Sequence, residues 1–284
     1  MRRFLRAGGF GLVGLALLAT PAVVWGFRIR VVTPIPERVA LADVIVIGKV
    51  ASIGKKPVMV KESGLNREVA YSVAVFEIKE TLKGTKGAKK IEVGILGAQQ
   101  PGQPRIPSLQ TTTLTQGQDL CLMLKKHESG KFHVLVGGYD YNLNKKSPNY
   151  RNSEALTRRC VKLLANPDKS LKSNVRSDRV LTASMLVYQY RDPVGSKEDE
   201  IDANQSKLIM RALAEGDWTD VQPVFFRLGP TEKDGWKGPQ AVRGRTQPLG
   251  LAARQWLNAN ISKYRIKRFV PDMEESKDTK KEDK

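Results

Sequence analysis

The sequence predicts an α+β protein in which a small β-barrel is followed by a helical domain. The first half contains short strand-like runs, and after residue 150 the apolar residues recur at helical spacing instead. With 40% hydrophobic and 27% charged residues, the chain can bury a core. We expect a signal segment at 1–26, a barrel domain at 27–150, a helical domain at 151–270 and a disordered charged tail at 271–284.

The N-terminus has the pattern of a secretory signal peptide. Three arginines precede the uncharged residues 7–26, and Pro21, Ala22 and Gly26 suit a peptidase site. A segment of this length also just spans a bilayer, which leaves an uncleaved anchor as the alternative. We therefore expect a secreted or periplasmic protein, or one anchored to the inner membrane by residues 7–26.

Five strand-like runs in the first half have the spacing of barrel strands. Clusters of Gly, Pro, Asn or Ser separate them. The first run contains Gly48, and a glycine inside a long strand allows the strand to bend around a barrel corner. The pattern predicts a five-stranded OB-like barrel with strands at 42–53, 70–82, 90–96, 119–126 and 132–137.

The first of these runs, ADVIVIGKV, is apolar on both faces. Val44, Val46 and Val50 share one parity, while Ile45 and Ile47 share the other. A half-buried strand would alternate apolar and polar residues instead. One face can fill the barrel, and we expect helices of the second half to cover the other.

The runs ADVIVIGKVASI, YSVAVFEIKETLKG and GQDLCLMLKKHESGKFHVL together resemble a known family. Over about residues 35–140 the chain is similar to the netrin-like OB module of tissue inhibitors of metalloproteinases and to related secreted bacterial domains. In those inhibitors the N-terminal cysteine of a Cys-x-Cys pair chelates the zinc of the protease. Here no cysteine precedes Cys121, so the resemblance implies a fold rather than an activity.

The second half contains five segments with helical spacing of apolar residues. Their expected starts lie at or near Ser153, Ser177, Asp202, Thr219 and Pro248. Four or five short helices need a shared core, and their rhythm is HEAT-like, although no repeat period is clear enough to separate this from an irregular bundle.

Two cysteines, Cys121 and Cys160, fall in different predicted domains. They could form one disulfide bridge in an oxidising compartment or remain buried free thiols. The sequence does not give the distance between them, so both alternatives stay open.

Two histidines, His127 and His133, flank a predicted hairpin turn. Two ligands without a nearby Asp or Cys make a poor zinc site, because catalytic zinc usually has three protein ligands. We expect no metal, no cofactor and no catalytic residue that sequence motifs would reveal.

Two features of the second half are candidate ligand contacts. Trp236 lies in a loop between Gly and Lys, and an exposed loop tryptophan can contact a ligand. Arg265, Lys267 and Arg268 alternate with apolar residues in YRIKRFV. This run could grip an anionic polymer by charge and stacking, but its alternation favours a strand added at a sheet edge.

The charge of the chain is strongly positive. The net charge is +19, of which the three signal arginines supply three, each predicted domain has an excess of +9, and the tail has an excess of −2. Groove binders cluster their basic residues, so we expect no specific nucleic-acid site and only weak polyanion binding.

The sequence favours a non-enzymatic binding or scaffold protein for an unidentified protein partner or an anionic envelope polymer. The alternative is a protease inhibitor or hydrolase acting through the barrel rim.

Overall fold

The computed structural model describes residues 33–62, 68–85, 87–96, 114–193, 195–239, 241–242 and 245–271. The expected signal segment, and all but the first residue of the expected tail, lie outside the described residues. From Val32 onward the chain belongs to one compact unit. The boundary expected at residue 150 therefore stays a prediction.

All five predicted barrel strands are present, and a short extra strand joins them. Turns that contain glycine or proline separate the strands in the sequence, as the pattern predicts. The strands are β1 Val44–Ile53, β2 Val58–Lys61, β3 Glu68–Lys83, β4 Lys90–Leu96, β5 Asp119–Lys126 and β6 His133–Leu135. The strand β2 was not predicted, because a run of four residues is too short to show a period.

The strands close into a barrel. Their order is β1-β5-β6-β4-β3, and β3 pairs back with β1 to complete the ring. The pairing of β4 with β6 is parallel, while the other pairings in the ring are antiparallel. The short strand β2 pairs with β3 and extends the sheet beyond the ring.

Gly48 acts as predicted. A Cβ at this position would lie 2.0 Å from the carbonyl oxygen of Glu77 and 2.8 Å from the ring of Phe76. The register between β1 and β3 also shifts between Ile47 and Gly48. The missing side chain therefore lets the two strands approach closely where β1 bends.

Seven α-helices lie within the described part of the chain. They are α1 Ile35–Leu41, α2 Tyr150–Ala165, α3 Pro167–Leu171, α4 Arg176–Tyr190, α5 Ala203–Glu215, α6 Trp218–Leu228 and α7 Leu249–Asn260. Barrel first and helices afterwards is the predicted order, except that α1 precedes the barrel. The starts of α4 to α7 agree with the sequence to within one residue, and the Asp202 side chain caps α5 by accepting from the Gln205 amide.

The start expected at Ser153 was wrong. The helix α2 begins at Tyr150, and Ser153 is buried inside its first turn. Tyr150 is itself part of the hydrophobic core, so tertiary packing extends the helix beyond the start that the capping pattern predicts.

The helix α1 was not predicted, because seven residues are too few for a helical period. Pro36 lies in its first turn, where a missing amide hydrogen costs nothing. Its Arg38 is only 2% exposed and donates to the Asp140 carboxylate at 2.5 Å, just after the last barrel strand. This buried ion pair fixes α1 against the exit from the barrel.

Two small sheets complete the fold. The strand β7 Lys197–Glu200 pairs antiparallel with β10 Lys267–Val270, and β8 Ala241–Val242 pairs with β9 Arg245–Thr246. The pairing of β10 confirms the edge-strand interpretation of YRIKRFV.

The two faces of β1 belong to different hydrophobic cores. Val44, Val46 and Val50 pack inside the barrel. Ile45 and Ile47 belong to a larger cluster that also contains residues of α1, α2, α4, α5, α6 and α7. The expectation that helices cover the outer face of β1 is therefore confirmed.

No helix within the described ranges is long and apolar enough to cross a membrane.

Candidate functional site

A cleft opens between the helices of the second half. Its volume is about 450 Å³, within the range of ligand-binding clefts. The central helix α4 forms its floor, α2 and α6 form its walls, and the start of α1 closes one end. We call it the helical cleft.

The floor of the helical cleft is mostly apolar. Val180 and Leu181 of α4 line the floor beside Ser177 and Ser184, and Leu156 of α2 and Val224 of α6 add apolar surface from the walls. The helix α4 is buried from Thr182 to Tyr188, so the floor is backed by the core of the protein. A rigid apolar surface of this kind can hold an apolar side chain without rearranging.

The rim of the cleft carries both signs of charge. Arg159 of α2 pairs with Asp178 at 2.5 Å, and Arg176 at the start of α4 pairs with Asp217 at 3.1 Å. Asp220, in the first turn of α6, also lines the cleft. Arg159 thus lies on the α2 side, whereas Arg176 and Asp217 are paired beside α6, where Asp220 also lies.

The far end of the cleft is closed by α1. Pro34 and Pro36 line it there, and Glu37 accepts from Arg227 of α6 at 3.2 Å. Tyr188 lies at the same end, where burial, assisted by the charge of Glu37, raises the pKa of its hydroxyl to about 12. That hydroxyl is therefore a neutral hydrogen-bonding group at physiological pH.

A second group of polar side chains lies at the edge of the barrel. The imidazole of His127 is 2.9 Å from the Ser129 hydroxyl through Nδ1 and 3.2 Å from the Glu62 carboxylate through Nε2. The Tyr71 hydroxyl donates a short hydrogen bond to the same oxygen of Glu62. We call Glu62, Tyr71, His127 and Ser129 the barrel-edge cluster.

Burial and aromatic contacts fix the barrel-edge cluster. The His127 side chain is 5% exposed and lies with its ring centroid 5.3 Å from Tyr71 and 4.7 Å from Phe132. Burial, followed by the hydrogen bond to Glu62, raises the pKa of Tyr71 well above its ordinary value. The carboxylate of Glu62 is thereby held between a neutral phenol and an imidazole.

Trp236, a possible ligand contact if exposed, is partly buried. Its ring lies 4.9 Å from Phe225 and 6.4 Å from Trp256 between centroids, both in edge-to-face arrangements. These contacts account for the residue as packing. Its role as a ligand contact stays a prediction.

The basic residues of YRIKRFV face acidic neighbours. In the pairing of β10 with β7, Lys267 lies opposite Glu200 and Arg268 opposite Asp199. Arg265 donates to the carbonyl oxygen of Ser262 at 3.4 Å. The acidic strand β7 offsets the local charge, which weakens the case for a dedicated polyanion site there.

Both cysteines are free and buried. Cys121 lies on β5 and Cys160 on α2, and both belong to the core shared by the barrel and the helices. Burial raises the pKa of each thiol to about 12. Of the two alternatives left open by the sequence, the structure has the pair of buried thiols, and such thiols are unreactive.

His133 does not join His127 in a common cluster of ligands. It lies on β6 opposite Lys126 and Val93, and burial lowers its pKa. Across the part of the chain that the structure describes, no group of three His, Cys, Asp or Glu side chains could hold a metal ion.

Neither the helical cleft nor the barrel-edge cluster follows from a motif. The cleft requires the relative placement of three helices, and Glu62 reaches His127 across 65 positions of sequence. The sequence contains one signal of the barrel-edge cluster, because His127 and Ser129 are two residues apart in a tight hairpin.

No protein-family model matches the sequence, and no curated protein matches it either.

Proposed function

We propose that the protein is a binding protein that holds an amphipathic helix of a partner protein in the helical cleft. The observation that carries the proposal is the apolar floor of a cleft of about 450 Å³ between two helical walls. Helices with one apolar face dock into grooves of this kind.

The dimensions of the cleft support a helical occupant. The floor follows α4 from Arg176 to Tyr188, both of which line the cleft. At 1.5 Å per residue this stretch is about 18 Å long, which is the length of roughly three helical turns. A partner helix could therefore place apolar residues at i, i+3 or i+4 and i+7 along the floor.

The rim charges support a fixed orientation of the partner. Arg159 of α2 lies on one side, whereas Asp217 and Asp220, at the start of α6, lie on the other, with Arg176 paired to Asp217. A helix with acidic residues on one flank and basic residues on the opposite flank complements both sides. Charges at a rim contribute more to orientation and specificity than to affinity.

We propose that the barrel is an OB-type scaffold for the cleft, related to the netrin-like modules. The closed ring with a parallel pairing of β4 and β6 supports this assignment. Ligands of OB barrels bind on the face of the second and third barrel strands, which here are β3 and β4, and on the flanking loops. In this protein the short strand β2 pairs with β3 in that region, where Val60, Tyr71 and Phe132 form a small buried cluster. The HEAT-like arrangement of the helices stays a prediction.

The export pattern of the N-terminal sequence supports a place of action outside the cytoplasm, in the periplasm or as a secreted protein. The excess of positive charge supports weak contacts with anionic envelope polymers in addition to the protein partner.

Site-specific photo-crosslinking in native envelope material tests the cleft. A benzophenone amino acid at Val180, on the cleft floor, should yield one discrete adduct whose peptide has apolar residues at helical spacing. The matched control places the same group at Met59, which is 39% exposed on the barrel. The same adducts from both positions, or none from Val180, would contradict the proposal.

A further inference from the structure

The barrel-edge cluster contains a hydroxyl, an imidazole and a carboxylate in hydrogen-bonded series. Ser129 Oγ is 2.9 Å from His127 Nδ1, and His127 Nε2 is 3.2 Å from Glu62 Oε1. A nucleophile next to a base that is oriented by a third group is the general arrangement of an activated serine. We propose that Ser129 is a nucleophile activated by His127 and Glu62, reactive toward activated acyl and phosphoryl compounds. This activity goes beyond partner binding in the helical cleft.

The hydrogen bonds around His127 select the tautomer that a general base needs. The backbone N–H of Ser129 donates to Nδ1 at 3.1 Å, so Nδ1 is the acceptor of the neutral ring. The proton is then on Nε2, where it points at Glu62. The lone pair of Nδ1 is thereby directed toward Ser129, and the carboxylate stabilises the imidazolium that forms when Nδ1 takes a proton.

The positions of the base and the carboxylate are fixed by packing. His127 packs against the rings of Tyr71 and Phe132, which also contact each other, and the Tyr71 hydroxyl donates to the carboxylate of Glu62. Groups that are locked by their surroundings require no reordering during the reaction.

Ser129, in contrast, is accessible. It is exposed in the turn between β5 and β6, and a Cβ at the neighbouring Gly130 would meet nothing within 4 Å. The N–H of Lys131 donates to Ser129 Oγ at 3.4 Å and favours developing negative charge on that oxygen. A small electrophile can therefore reach the hydroxyl from solvent.

The geometry limits the class of substrate. The N–H of Gly130 already donates to the carbonyl oxygen of His127 at 2.8 Å, so it does not serve an oxyanion. Without such donors, acyl transfer loses on the order of a hundredfold to a thousandfold in rate. We therefore expect reaction with electrophiles that carry a good leaving group and not with peptides.

The reaction with a fluorophosphonate shows the step in balanced form. Ser129 Oγ forms a bond to phosphorus, its proton moves to His127 Nδ1, the phosphorus–fluorine bond breaks and fluoride leaves. With an activated ester, Oγ bonds to the carbonyl carbon, and the leaving alcohol takes the proton from the imidazolium. Water then hydrolyses the acyl group with His127 again as the base.

The test is labelling of the intact protein with a fluorophosphonate, followed by mass mapping of the adduct. We expect a single adduct at Ser129 that is absent in Ser129→Ala. Because general base catalysis contributes at least about a hundredfold, His127→Gln should label about a hundredfold more slowly. Glu62→Gln should lose less, about tenfold, since the carboxylate acts only through the imidazole.

Ser262→Ala is the matched control, because Ser262 is exposed and is bonded through its carbonyl oxygen to Arg265 rather than to a histidine. It should label at the rate of the unaltered protein. Melting curves of Glu62→Gln and Ser129→Ala separate lost reactivity from lost folding. Adducts spread over several serines, no adduct at all, or an unchanged rate in folded His127→Gln would each overturn the proposal.

Discussion

The inside and the outside of the barrel are packed very differently. The inside is a small cluster in which Val46 and Phe76 are fully buried by other barrel residues. The outside of β1 and β5 carries Ile45 and Cys121, which are just as buried but lie in the larger core formed by the helices. The outer face of the barrel is therefore apolar where the helices pack on it. Alternate residues of one strand contribute to two cores.

This difference predicts that a destabilising substitution in either core lowers the free energy of unfolding of the whole molecule. The interior core holds the ring of strands closed, while the outer core joins that ring to α4 and its neighbours. A substitution in one core should therefore also lower the stability that is measured with a probe in the other core. The following predictions test how tightly the two regions are coupled.

The largest effect is expected from removing one buried aromatic side chain from the barrel and one from the helices. Phe76→Ala in the barrel and Phe225→Ala in the helices should each lower the free energy of unfolding by about 3–5 kcal/mol, because both rings are almost completely buried. The measurement is urea denaturation followed by the fluorescence of Trp218, Trp236 and Trp256, which all lie in the helical half.

Phe226→Ala is the control for Phe225→Ala, since Phe226 is 56% exposed and its loss should cost far less. If Phe76→Ala left the tryptophan transition unchanged, the two regions would unfold independently, and the shared core would not couple them.

A smaller effect is expected at the ion pair that bridges the two regions. Arg158 of α2 donates to both oxygens of Glu80 on β3 at 2.6 Å, and the hydrogen bonds lower the pKa of that carboxyl. Both groups are well exposed, so screening by solvent limits the coupling to about 0.5 kcal/mol. A double-mutant cycle with Glu80→Gln and Arg158→Gln measures it.

The pH dependence of this coupling has a defined sign. Because the folded-state pKa of Glu80 is depressed, its contribution is complete above the ordinary glutamate pKa of 4.5 and is lost as the pH falls through the lower folded value. The cycle should therefore give a coupling at pH 7 that declines in acid. The pair Lys79 and Asp119, which lies within the barrel, is the control. A coupling at Glu80 that persists at acid pH would exclude its ionisation as the cause.

The smallest effect concerns polyanion binding. Replacing Arg265, Lys267 and Arg268 together by Ala should weaken binding to heparin-like polymers only about twofold at moderate salt, because β7 already offsets their charge. Replacing Lys55, Lys56 and Lys89, all exposed on the barrel, should have an equal or larger effect. A salt titration of both variants compares the halves, and abolition of binding by the first variant alone would reveal a dedicated site on β10.

Local sequence patterns predicted most of the architecture. The parity of ADVIVIGKV and the position of Gly48 predicted a bent strand that is covered on both faces, and the structure shows the bend and both buried faces. The sequence did not predict α1, because its seven residues have no measurable period and its contacts are tertiary: Val39 and Ala40 pack in the large core, and Arg38 pairs with Asp140.

The two candidate sites could not be predicted for a different reason. The helical cleft is a space between elements, and its existence depends on how α2 and α6 diverge over α4. The barrel-edge cluster depends on a hairpin that brings Glu62 of one connection to His127 of another. Tertiary placement, and not local pattern, decides both.

Because β1 contributes to two cores, the order of synthesis has a consequence for folding. Ile45 and Ile47 emerge from the ribosome long before Met185 and Met210, residues of the same cluster in α4 and α5. At about 5–20 residues per second, roughly 10–30 s pass between the synthesis of β1 and that of these covering residues. During that interval the nascent chain presents a surface for a holding chaperone, and a synonymous change that slows translation between β6 and α4 should lower the yield of native protein while leaving the sequence unaltered.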